Sequence, residues 1–407
     1  MLLIIASLFT IAPIQYPEAY RGDIVETLHG VEVADPYRWL EQDVRESNEV
    51  RMWVQDENTI TRQYLDSIET RPYIKETLTK AWNYEKHGLP FHRGSRWFQS
   101  RNTGLQNHSV IYTGDSPTTI EKVLLDPNLF SEDGTQALSM YSPSPEGNYL
   151  VWGISDAGSD WSTWYAKDLN SGELLPEVIR DIKNDSPSWL PDESGYYYSR
   201  YPDSDSEGHI KTTDASELWF HRIGTEQSQD TLVYNDKDHP NRFYNASVTK
   251  DGGWLVISVN IGTSSNNAVL VKGPNEKELH WLISDFDAEV SLIGGMSNTL
   301  WFKTDRDAPN GKLISVHFDS ENPKWSVVLP EQQNILRSAD IVGGKITCSW
   351  LEDASSKATV HSLLGNLLYE VKLPGIGTAS GFNGDAKDKT VYWSYSSYNQ
   401  PPSIYSL

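Results

Sequence analysis

The sequence predicts an all-β protein, a seven-bladed β-propeller with an incomplete last blade, preceded by an N-terminal helical segment. Three observations carry this. A turn-then-strand unit recurs along the chain from about Leu89 onward. Its spacing is roughly 45 to 55 residues, close to that of a four-stranded propeller blade. Apolar residues at helical spacing occur only ahead of that region.

The helical part comes first. Val50, Trp53, Val54, Ile60, Tyr64 and Ile68 form one apolar stripe. Thr70-Arg-Pro72 punctuates the chain, and Ile74, Leu78, Ala81 and Trp82 predict a second helix, with Thr70 as its cap and Pro72 in its first turn. The segment boundaries fall at 1–15 (an apolar leader), 16–82 (helical) and 83–407 (propeller).

The β units follow. Their turns are Arg93-Gly-Ser-Arg96, Pro145-Glu-Gly-Asn148, Pro191-Asp-Glu-Ser-Gly195 and Lys250-Asp-Gly-Gly253, with weaker copies at Gly294-Gly-Met-Ser-Asn298, Val342-Gly-Gly-Lys345 and Asp385-Ala-Lys-Asp-Lys389. Strands such as Tyr149-Leu-Val-Trp-Gly153 and Trp254-Leu-Val-Ile-Ser258 stand behind them, and returning strands such as Ser162-Thr-Trp-Tyr-Ala166 follow. A closed ring removes exposed sheet edges, which favours a propeller over a β-sandwich pair or two all-β domains. The seventh unit, from about Ala379 to Leu407, has room for two or three strands, where a blade needs about four.

Composition narrows the function. Of 407 residues 38% are hydrophobic, with 15 Trp and 21 Tyr, ample material for a packed core. The net charge of -22 argues against nucleic acid and against anionic membrane surfaces, both of which need a basic face. The single Cys348 excludes an intrachain disulfide and a cysteine metal site, and its strand setting predicts a buried, inert thiol. No stretch reaches the ~20 apolar residues of a membrane span. Met1–Pro13 lacks the Lys or Arg of a signal peptide's leading region, so a cytoplasmic location is expected, with secretion the alternative if 1–15 act as a signal.

The chemistry of a catalyst is missing. A G-x-S-x-G nucleophile elbow does not occur; Gly153-Ile-Ser155-Asp-Ala157 and Gly295-Met-Ser297-Asn-Thr299 both lack the last glycine. No H-E-x-x-H or phosphate-cradling loop is found, so no metal and no cofactor are expected. His87 and His92 flank Gly-Leu-Pro and read as solvated loop histidines.

Tyr16-Pro-Glu-Ala-Tyr20 and Asp35-Pro-Tyr-Arg-Trp-Leu-Glu41 are followed by Asn102-Thr-Gly-Leu-Gln-Asn107, Leu125-Asp-Pro-Asn128, Ser131-Glu-Asp-Gly-Thr135 and Gly158-Ser-Asp-Trp161. In these segments the chain resembles the prolyl oligopeptidase family. The resemblance implies a propeller that caps an α/β-hydrolase peptidase domain with a Ser-Asp-His triad, normally in the same chain, and that limits entry to short peptides cleaved after proline. It implies that 16–82 pack on that domain, whose triad-bearing part has no counterpart in these 407 residues. It further implies that Asp160 and Trp161 face the peptidase domain, with Asp160 biasing the charge near a peptide amino terminus; a turn cap is the competing reading of Asp160. Phe243 aligns with an apolar residue lining the proline-side cavity, and Gly262-Thr263 with a loop approaching the active site. Asn184 replaces a usual aromatic, Thr263 a position that can be Cys, and Ser139 one that can be Arg, so a more polar pocket is expected. A free-standing binding module and an inactive regulator of a full-length relative are the alternative functions.

Overall fold

The structure is a computed structural model that describes residues 14–201, 215–274, 276–319 and 322–407; most of the 1–15 leader lies outside the described residues. The chain divides into two compact units, which meet in sequence between Tyr84 and Glu85.

The first unit contains the two expected helices, α1 (Asn48–Asp66) and α2 (Arg71–Trp82). Ser47 caps α1, its Oγ accepting from Val50 N at 3.3 Å. The stripe of α1 is fully buried only at its start, half-buried as far as Ile60 and exposed beyond. Val50 is buried and Trp53 packs edge-on against Trp39, whereas Tyr64 and Ile68 are exposed. Two details differ from the sequence reading. Thr70 makes no side-chain cap: it already holds helical dihedrals (φ -80, ψ -13), which leaves its hydroxyl no route to the free amides. A hairpin, Val25–Leu28 with Val31–Ala34, stands within the segment read as helical.

The second unit is a propeller of seven antiparallel sheets, spanning 86–125, 136–183, 188–234, 242–283, 290–329, 335–371 and 378–406. The second to sixth sheets have four strands each in chain order, the first has five, and the seventh has three. The predicted turns join the first and second strands of their sheets, except in the first sheet, where Arg93–Arg96 joins the second and third, and in the fifth. Gly294 and Gly295 lie inside the strand Val290–Met296, and the turn is Ser297-Asn298. Gly295 serves packing there: a Cβ would stand 2.4 Å from Thr249 Cγ2 and 2.7 Å from Leu300 Cδ2.

The core lies in the wedges between sheets. Trp164 and Ile179 of the second sheet meet Trp189, Tyr196 and Tyr198 of the third. Trp254, Val269 and Val271 of the fourth meet Leu300, Phe302 and Val316 of the fifth. Cys348 is buried within the sixth sheet's cluster, and burial pushes its thiol up to about 12. Glu193 stitches the second sheet to the third by accepting from Ser144 Oγ, from Glu146 N at 2.7 Å and from Asn148 Nδ2 at 2.6 Å. The seventh sheet meets the first through Trp97 and Tyr392, whose rings are 5.8 Å apart, and through His92 and Asp388. His92 is therefore a half-buried strand residue at the closing seam, not a solvated loop histidine. Lys250 Nζ, in the fourth sheet's turn, donates to Gly384 O beside the seventh sheet, a reach that crosses the middle of the ring.

Candidate functional site

In each sheet the start of the first strand, the end of the second, the start of the third and the end of the fourth lie at the same end, because neighbours are antiparallel. That end carries all five candidate residues.

Asp160 and Trp161 close the turn between Tyr149–Asp156 and Trp161–Asp168. The turn is built by Ala157 (φ 49) and Gly158 (φ 78), and Ser159 Oγ accepts from Trp161 N at 3.1 Å. Ser159 is thus the turn's hydroxyl cap. Asp160 instead projects into solvent, 68% exposed, 3.4 Å from Lys183 Nζ. Lys183 is the cross-strand partner of Trp161 and its Nζ stands 5.7 Å from the Trp161 ring centroid. Tyr201 packs edge-on to the same ring at 5.5 Å.

Asn184 follows directly, exposed and left-handed at φ 52, a conformation Asn tolerates better than most side chains. The residue beyond it turns inward. The Asp185 carboxylate accepts from Ser199 N at 2.5 Å and is also hydrogen-bonded by Ser186 N and the Asn245 side chain. Burial outweighs these donors and raises Asp185 to about 6. Burial, with the nearby Asp185 charge, also raises the Tyr201 phenol.

From Asp185 the polar chain continues into the fourth sheet. Asn260 Nδ2 donates to Asn245 Oδ1 at 3.2 Å, and Asn260 is the cross-strand partner of Phe243. Phe243 is half-buried at the start of Arg242–Val248. Thr263 is exposed in the turn after Leu255–Ile261, where Gly262 holds φ 51 and Ser264 N bonds Ile261 O at 3.1 Å. Chain continuity from Lys183 to Asp185, and the bonds of Asp185, Asn245 and Asn260, therefore link Asp160, Trp161 and Asn184 to Phe243. Thr263 stands at the same end without a bond into this chain. Ser139 lies exposed at a bulge in Gln136–Pro143. Lys183, Asp185, Asn245 and Tyr201 escaped the sequence reading. Only Asp185 had a local signal, an Asx residue at a strand end, and that signal is shared by many turns.

The described residues contain no assembled triad. Ser155 lies within a strand and Ser297 in a two-residue turn, so neither stands at a strand-to-helix elbow. His221 has a carboxylate 2.7 Å away, on Asp230, but both side chains are wholly buried. Among the described residues no group of three His, Cys, Asp or Glu could hold a metal ion.

A family model described as the prolyl oligopeptidase N-terminal beta-propeller domain matches residues 17–407. The prolyl endopeptidase of Elizabethkingia meningoseptica is 37% identical over 397 residues, covering 96% of this chain and 55% of the relative. That of Elizabethkingia miricola is 35% identical, with 97% and 56% covered. The solved structure of prolyl oligopeptidase B from Galerina marginata, bound to a 35mer substrate, superposes with a TM-score of 0.85 at 26% identity, covering 97% of this chain and 58% of that one. The chain belongs to the prolyl oligopeptidase family and is its N-terminal propeller. It spans about 55% of the length of the relatives it matches, and its matched part does not include their catalytic portion.

Proposed function

We propose that this chain forms the substrate-gating part of a serine endopeptidase that cleaves short peptides after proline. A peptidase domain of α/β-hydrolase fold would stand over the sheet end that carries Asp160, Trp161, Asn184, Phe243 and Thr263. The observation that carries this reading is the convergence of these residues, from the second and fourth sheets, on one end of a propeller of this family. Asp160, exposed and only loosely paired with Lys183, is placed to attract a peptide's ammonium terminus. Phe243 offers an apolar wall, and Asn184, Thr263 and Ser139 give the surround an uncharged polar character.

The 407-residue chain supplies no nucleophile elbow, so by itself it is expected to hydrolyse no prolyl peptide. Inhibitor-sensitive cleavage after proline by the pure chain would overturn that. The mass of the endogenous protein, read with an antibody against the propeller, tests the larger reading. A species well above 46.0 kDa agrees with a propeller joined to its peptidase domain. A species at 46.0 kDa removes the joined-chain reading and leaves a binding module or regulator.

A further inference from the structure

The wedge between the fourth and fifth sheets does not close at its outer edge. The strand Pro323–Leu329 is the last of the fifth sheet, and His280–Ile283 the last of the fourth. Trp325 pairs with Val316, and Val327 with Ile314. Their side chains therefore continue the apolar face that Val316 and Ile314 present to the wedge. Val316 is buried there, but Trp325 and Val327 remain 44% and 59% exposed. The result is a cleft of about 450 Å3, walled by Leu282 and Ile283 on one side and Trp325 and Val327 on the other, with Ile314 in its floor. That volume falls within the ~300–1,000 Å3 of small-molecule clefts.

Two cations stand in the same cleft. Arg306 engages Asp287 through Nη2, but its Nε is buried without a hydrogen-bond partner. Lys312 is half-buried, and among the described residues its ammonium makes no ion pair or hydrogen bond. The one acid of the lining, Asp285, is exposed at the lip. A buried donor left unmatched is costly, and the buried Arg306 Nε together with the unpaired Lys312 ammonium beside an apolar trough defines what would satisfy them. This local excess of unmatched donors stands out in a chain whose net charge is -22.

The geometry points to a ligand site for a carboxylate with an apolar body, the apolar part lying between Trp325 and Ile283 and the carboxylate accepting from Arg306 and Lys312. The site is on the outer edge of the ring and does not depend on the peptidase reading.

Isothermal titration of the 407-residue chain with sodium octanoate, octanol and octylamine tests it. One octanoate is expected to bind, with octanol and octylamine weaker by about tenfold, the loss of one or two charge-assisted hydrogen bonds. Lys312→Met, which keeps the apolar stem, is expected to reduce octanoate binding by a similar factor and to leave octanol unchanged. Trp325→Ala is expected to weaken all three; both positions are exposed or half-buried, so folding is retained. Equal binding of the three compounds would reduce the cleft to a bare apolar groove and overturn the proposal. So would octanoate binding that neither substitution alters, or no binding at all.

Discussion

His92 Nε2 stands 2.7 Å from Asp388 Oδ1, and this contact joins the first sheet of the propeller to the last. Its partners stand 296 positions apart in the chain. Neighbouring sheets elsewhere are tied by a direct chain connection; this seam depends on side chains such as this pair and the Trp97–Tyr392 contact. His92→Ala is therefore expected to cost roughly 1.5 kcal/mol, the low end for a hydrogen bond to a charged group because His92 is only half-buried. Hydrogen exchange should accelerate first in Tyr392–Ser397. Unchanged exchange there would mean that the seam is held by the rings alone.

Glu193 is a stronger case, because its carboxylate is buried and serves three donors of the second sheet's turn. Glu193→Ala leaves Ser144 Oγ, Glu146 N and Asn148 Nδ2 facing an empty space. A loss of about 3 kcal/mol is expected in urea unfolding. Glu193→Gln retains an acceptor and should lose less; equal losses would show that shape rather than hydrogen bonding matters.

Asp185 gives a pH dependence with a definite sign. Burial raises its folded value to about 6, above the ~3.9 of an unfolded aspartate. Its contribution to stability is fully present below the unfolded value and is lost as pH rises through the folded one. Asp340, likewise raised by burial to about 6, and His221 act in the same direction. For His221 burial opposes the charge, but Asp230 and Glu177 more than offset it. The comparison of wild type with Asp185→Asn isolates the one group. The variant should lose less stability than wild type between about pH 4 and 7. Parallel profiles would remove the carboxyl from the account.

The first unit exposes Tyr64, Ile74, Leu78 and Trp82. Exposed apolar faces of this kind promote association. A chain trimmed to begin at Glu85 is expected to be more soluble than the 407-residue chain and to keep the propeller's unfolding transition. Poorer solubility, or loss of the transition, would show that the propeller needs residues 14–84.

The propeller was legible because each blade repeats one local pattern, a polar turn ahead of an apolar strand, as at Pro145–Asn148 before Tyr149–Asp156. What escaped had a competing explanation. The hairpin strands Val25–Leu28 and Val31–Ala34 are four residues each and almost wholly exposed, too short for alternation to register. Gly294 and Gly295 carried the composition of a turn but are small because Thr249, Leu300 and Ile341 crowd them. At the candidate site Asp160 and Trp161 were found through a local motif. The Asp185–Asn245–Asn260 chain was not, since 60 residues separate its first two members and only the packing of sheets unites them.

Cys348 is the only thiol in the chain, and it lies 1% exposed among Leu336, Ile341, Ile346 and Trp350. A native molecule therefore offers nothing to an alkylating reagent, whose target must be both accessible and ionised. Each molecule that acquires a label has opened its sixth blade at least once. The sequence thus carries its own stopwatch: the labelling rate of wild-type protein times the opening of the core around the sixth blade, with no engineered reporter.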